Sequence, residues 1–180
     1  VRSIAFSPDS QLFLTSDSDG NVQAWNVLTG ELINDFGQKD THASSLANSS
    51  TLLAIGLRDK IMIMDASGDG AASEVESLGE NTLMALSTDG IWLASSDSSG
   101  KISIWKNQDG KFTSPVSFTN KEQAVSLSFN PLGTLLAVGT ASNVYLLDPT
   151  TGKEIARIPH IDIVNGVSFS ADGKILATGS

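Results

Sequence analysis

The 180-residue sequence has no cysteine, one tyrosine, two histidines and five prolines. Without cysteine there is no disulfide framework and no thiolate metal site. Lys and Arg number 11 against 20 Asp and Glu, a net charge of −9, and the cations stand singly along the chain. Holding a phosphate backbone takes clustered cations, so no nucleic-acid partner is expected. No apolar run approaches the roughly eighteen residues of a membrane span, and no membrane partner is expected either. No segment sustains a helical period. His42 and His160 have no cysteine to join them, so neither a metal nor a cofactor is expected.

What is there is repetition. "AFSPDSQLFLTSDSDGNVQAWN" (5–26) aligns without a gap on "ALSTDGIWLASSDSSGKISIWK" (85–106), and "LANSSTLLAIGLRDKIMIMD" (46–65) fits between them. "FNPLGTLLAVGTASNVYLLD" (129–148) and "FSADGKILATGS" (169–180) follow. The anchors Phe6, Leu46, Leu86, Phe129 and Phe169 are spaced 40, 40, 43 and 40 apart, and Leu14, Ala54, Ala94, Ala137 and Ala177 repeat those spacings. The units run approximately 1–40, 41–80, 81–122 and 123–162, with an incomplete one at 163–180.

Asp17, Asp19 and Gly20 resemble the opening of a calcium loop, but such a loop needs a carboxylate at its first position and a glutamate at its twelfth. Those positions hold Thr15 and Asn26, and of the equivalents of "SDSDGN" the third unit has Ser99 in place of Asp19 while the fourth keeps no carboxylate at all. What persists is small, polar and turn-forming, so the stretch reads as a hairpin turn. Turn residues recur about every ten positions, with β-branched and aromatic runs between them, which gives four antiparallel strands per unit. "QLFLT", "TLLAI", "IWLAS" and "TLLAV" are almost continuously apolar, so these strands are covered on both faces. Four-stranded sheets stacked face to face around an axis meet that requirement. The predicted fold is all-β, a β-propeller with about 4.5 blades in this chain.

The period near 40, the "FSPDS" turn, the "DG" turn and the tryptophans at 25 and 105 resemble the WD40-repeat proteins. The Trp-Asp pair is never complete: it reads Trp25–Asn26, Met64–Asp65, Trp105–Lys106 and Leu147–Asp148. The family's Gly-His pair becomes Pro159–His160. Of the polar network that His, Ser/Thr, Asp and Trp form in that family's blades, the resemblance keeps Asp19 with Trp25, Asp59, Trp105 and His160. Apolar packing is therefore expected to carry more of the stability.

Family propellers usually have seven blades, so further blades are expected in the same chain. The segment alone, with two blade faces uncovered, is expected to associate. The resemblance also gathers the turns between second and third strands, and the connections leading into each first strand, at one end of the ring. The first set supplies Asp17, Ser18, Arg58, Ser98, Ser99 and Asn143. The second supplies Arg2, Thr41, His42, Asn81, Gln123, Ile161 and Asp162.

Other chemistry is thinly supplied. His42 beside "ASSLANSS" has nothing to orient it as a base, and "SGDGAAS" lacks the helix that a phosphate cradle needs. Trp92 reads as a core filler, and the acidic "EVESLGEN" as a solvated outer strand. The expected function is a non-catalytic scaffold for a protein or peptide partner, the sensor or docking part of a larger signalling protein, in the cytoplasm. The alternative is a propeller-based hydrolase or lyase with an axial site. It is disfavoured because "SIAFS", "SSLAN", "LMALS", "VSLSF" and "NGVSF" offer no acid, lysine or histidine.

Overall fold

The computed structural model describes residues 1, 3–7, 10–17, 19, 21–36, 45–57, 60–65, 73–76 and 83–180. All regular structure among them is β. Blade 1 comprises β1 (Ser3–Phe6), β2 (Leu12–Ser16), β3 (Val22–Asn26) and β4 (Leu32–Asp35). Blade 2 comprises β5 (Ser45–Asn48), β6 (Leu52–Gly56), β7 (Lys60–Asp65) and β8 (Ser73–Glu76). In blade 3, β9 (Leu83–Leu86), β10 (Trp92–Ser96) and β11 (Lys101–Gln108) are followed by the stub β12 (Lys111–Phe112) and the outer strand β13 (Val116–Thr119). Blade 4 holds β14 (Ser126–Phe129), β15 (Leu136–Gly139), β16 (Asn143–Leu147) and β17 (Glu154–Pro159), and β18 (Gly166–Phe169) pairs with β19 (Leu176–Gly179). Every pairing is antiparallel between sequence neighbours, apart from β13, which reaches past β12 to β11. The first strands β1, β5, β9, β14 and β18 neighbour one another in turn around an axis. The arc does not close into a ring.

Turn chemistry sets this pattern. In blade 3 the Ser87 hydroxyl accepts from Trp92 N–H and donates to Asp89 Oδ1, and in the last sheet Ser170 does the same with Ile175 and Asp172. Gly90, Gly133 and Gly173 take left-handed φ of 72°, 65° and 70° there, and Ser10 occupies the equivalent place at 57°. Two of the three extra residues in the long spacing of 43 have a local cause as well. The hairpin from Ser103 to its pair Ser117 is two residues longer than that from Gln23 to Asp35, and Asp109–Gly110, both left-handed, turn it.

The core lies between blades. Alternate residues of one strand serve two clusters, as a period of two requires. Leu53, Ile55, Met62 and Met64 of blade 2 pack with Leu14, Val22 and Ala24 of blade 1. Ala54, Ile61 and Ile63 point the other way and share a core with Leu93 and Trp105 of blade 3. Ala94, Ile102 and Ile104 then meet Leu136, Val138, Tyr145 and Leu147 of blade 4, and Ala137 and Val144 meet Val164 and Val167. This explains the continuous apolar runs, because each inner strand is buried on both faces. In the end sheets β2 alternates between half-buried and buried positions, and β19 between half-buried and exposed ones.

Candidate binding rim

The end of the arc that carries the turns between second and third strands is braced by the connections leading into the first strands. Gln123 Nε2 donates to the Ser98 carbonyl, so two residues expected at this end meet across the boundary between blades 3 and 4. Asn120 N–H donates to the Gly100 carbonyl at 3.3 Å. Here the backbones come very close: a Cβ on Gly100 would lie 2.7 Å from Asn120 O and 2.8 Å from Glu122 O, and its φ is +86°. Glycine is required at this position.

Glu122 is the central brace. Its carboxylate accepts from the Ser142 hydroxyl, the Thr140 hydroxyl and, at 3.3 Å, Ser142 N–H. Those bonds, that of Ser142 first and then Thr140, hold its carboxyl below the ordinary range against a smaller opposing effect of desolvation. Asn143 joins the set, donating from Nδ2 to Ser142 Oγ at 2.8 Å and from its N–H to Thr140 Oγ1 at 3.2 Å. His160 N–H donates to Ser142 O, and Val164 N–H to Thr140 O. One turn of blade 4 is thus tied to the connections on either side of it. Sequence reasoning passed over Glu122, because the resemblance assigns no carboxylate to the connection leading into a first strand.

Asp17 and Asp97 hold equivalent turns in blades 1 and 3. Asp17 accepts from Asn21 Nδ2 at 2.9 Å and from the N–H groups of Asp19 and Asn21. The Asn21 side chain leads in holding its pKa below the usual range. Asp97 accepts from Ser99 and Lys101. These bonds lower its pKa despite an opposing desolvation that is the largest single effect. The Asp17 carboxylate therefore acts within its own turn. Asp19 is exposed, with its N–H on Asp17. Among the described residues no three His, Cys, Asp or Glu are grouped to hold a metal.

Of the expected rim residues, Ser98, Ser99, Gln123, Ile161 and Asp162 are exposed, Ile161 completely, and Asp162 caps the N–H of Ile163. Trp25 Nε1 donates to Thr15 Oγ1 at 2.9 Å, whereas Trp105 is buried between blades 2 and 3. His160 Nε2 is buried without a hydrogen-bond partner among the described residues. Trp92 is half-buried at the margin of the core between blades 3 and 4, with Lys106 Nζ 5.7 Å from its ring centre. Arg2, Ser18, Thr41, His42, Arg58, Asp59 and Asn81 lie outside the described residues.

Sequentially paired, four-stranded sheets that share cores around an axis define a β-propeller. The crystal structure of the Cps50 (Swd1) β-propeller domain of Myceliophteria thermophila is similar in fold, with a TM-score of 0.82 over 99% of this chain and 62% of that one at 15% identity. The family described as "WD domain, G-beta repeat" matches residues 1–26, 75–106 and 152–180. Three stretches of the chain thus match WD40 repeats, and the fold is that of a β-propeller. It is 24% identical over 197 residues to the human U3 small nucleolar RNA-associated protein 4 homolog, covering 100% of this chain and 29% of that protein. It is 26% identical over 188 residues to Periodic tryptophan protein 2 of Arabidopsis thaliana, covering 100% and 21%. Apoptotic protease-activating factor 1 of Rattus norvegicus is 33% identical over 117 residues, covering 62% and 9%. The chain thus spans less than a third of the length of these relatives.

Proposed function

We propose that this chain is a non-catalytic scaffold whose braced rim receives a protein or peptide partner, as the docking part of a larger protein. The observation that carries the reading is the combination of fixed backbone with an exposed apolar side chain. Glu122, Gln123 and Gly100 fix the connections, and Ile161, next in the chain to His160 whose N–H donates to Ser142 O, stands fully in solvent. A rigid frame lowers the ordering cost of binding, and an exposed large aliphatic group gains from being covered. The axial cavity of about 230 Å³ supports the same reading, since Leu46, Asn48, Met84, Leu86 and Ser128 are among residues that bring no acid or base to it. An axial catalytic site would need such groups.

The test is affinity purification of the tagged full-length protein, wild type against Ile161→Lys. Partners recovered with the wild type are expected to be lost from the variant while its melting temperature is unchanged. An unchanged partner set would overturn the role of this rim. Turnover of a small substrate would favour the axial enzyme. A protein partner, no nucleic acid and a cytoplasmic location belong to the same proposal. Nuclease treatment before purification and microscopy of the tagged protein check the last two.

A further inference from the structure

Beside the rim, between the outer strand of blade 3 and the outer half of blade 4, opens a pocket of about 400 Å³. Phe118 and Tyr145 form an apolar wall, with ring centres 5.4 Å apart and tilted by 53°. The Arg157 guanidinium lies 4.8 Å from the centre of the Tyr145 ring. Glu154 grips it from the side, accepting from Nε at 3.1 Å and from Nη2 at 2.9 Å. Residues three apart on a regular strand face opposite ways. Here Leu146 pairs with Ala156 and Leu147 with Glu154, so Ile155 bulges and Glu154 shares a face with Arg157.

The hydrogen-bonding capacity of the pocket is lopsided. Both Glu154 oxygens accept from Arg157, and both Glu122 oxygens are occupied by Ser142 and Thr140. On the donor side, the exposed Lys121 ammonium makes no hydrogen bond or ion pair among the described residues, and Arg157 Nη1 makes none either. Both carboxylates of the pocket already accept bonds from within the protein, while two cationic donors remain unused. The complementary group is an anionic acceptor, and charge-assisted bonds to a carboxylate are the strong kind. With a net charge of −9 the chain offers such a ligand no long-range attraction, so recognition falls to these two donors.

A polypeptide source is indicated by what bounds the pocket. All six residues of β17 are exposed, and its outer edge pairs with no strand among the described residues. Ile155 and Ile158 stand 57% and 40% exposed along it. A free edge of this kind accepts an extended segment through main-chain bonds.

We propose that an acidic segment of a partner protein lies along β17 and places a carboxylate in this pocket, where Lys121 and Arg157 donate to it. This deepens the scaffold reading and rests on it. The test is fluorescence anisotropy with the full-length protein and two labelled short peptides, alternating threonine with glutamate in one and with glutamine in the other. The glutamate peptide is expected to bind about tenfold more tightly than the glutamine one, and Lys121→Ala to remove most of that difference. Arg157→Lys, which keeps the charge but loses the planar fork, is expected to weaken the glutamate peptide as well. Equal affinity of the two peptides, no binding of either, or indifference to Lys121→Ala would overturn the proposal; the exposed position of Lys121 keeps that variant folded. If the peptides fail while Ile161→Lys still loses partners in the purification, the pocket is wrong and the scaffold stands. If Ile161→Lys loses nothing, the rim reading fails whatever the peptides do.

Discussion

Trp25 and Trp105 hold the same place in their repeats, each paired across to its second strand, with Phe13 and Leu93 respectively. Trp105 is 2% exposed, in a core it shares with Ile61, Ile63 and Val75 of blade 2. Trp25 is half-buried and stacks on Phe13 beside a hollow of about 430 Å³. The anchors repeat the contrast: Phe6 is 59% exposed, while Leu46 and Leu86 are at 6% and 8%. Equivalent residues differ because their neighbours differ. A blade's own four strands do not bury its large apolar groups, and the adjacent blade completes the core. Stability therefore resides in the interfaces between repeats.

That contrast can be broken by substitution. Trp105→Ala should cost about 3–5 kcal/mol in chemical denaturation, the usual loss for a buried aromatic. Gly100→Ala should cost about 3 kcal/mol, because a Cβ there meets two carbonyl oxygens. Gly110→Ala, at a similar φ but with open space around it, should cost only about 1 kcal/mol. Trp25→Ala should cost about 1–2 kcal/mol. A loss equal to that of Trp105→Ala would break the comparison, since it would mean that the Trp25 face is covered as well.

Smaller effects follow at the turns. Ser10→Gly, which gives blade 1 the residue its sister turns carry, should add about 0.5 kcal/mol. Glu122 should impose a pH dependence. Its folded pKa lies below the usual 4.5, so its contribution is present above that pH and is lost as the pH falls through the lower folded value. Urea midpoints of wild type and Glu122→Gln, measured from pH 7 downward, should converge under acid; a constant gap would contradict this role.

The blades were legible because two signals are local. Period-two strands that are apolar throughout state that both faces are covered, and the repeating Ser/Asn turns with left-handed glycines fix where strands reverse. The site was legible only in outline. Ser98, Gln123 and Asn143 fall at the braced end, but Glu122 was hidden because its partners Thr140 and Ser142 lie about 20 residues away and no family pattern assigns a carboxylate to that connection. The pairing of Glu154 with Arg157 was hidden for a different reason. A bulge flips the parity of the strand, and nothing about Ile155 announces it. Asp17 resembled a ligand because an acid that caps a turn and an acid that binds a cation look alike in one dimension.

The most direct measurement is a pair of double-mutant cycles by denaturation, Trp105→Ala combined with Ile63→Ala and separately with Leu136→Ala. Trp105 shares its core with Ile63 of blade 2, while Leu136 belongs to the core on the other side of the sheet. The first pair should be coupled by about 1 kcal/mol and the second should add to within about 0.5 kcal/mol. Additivity in the first cycle together with coupling in the second would show that blades do not complete one another's cores in the way described.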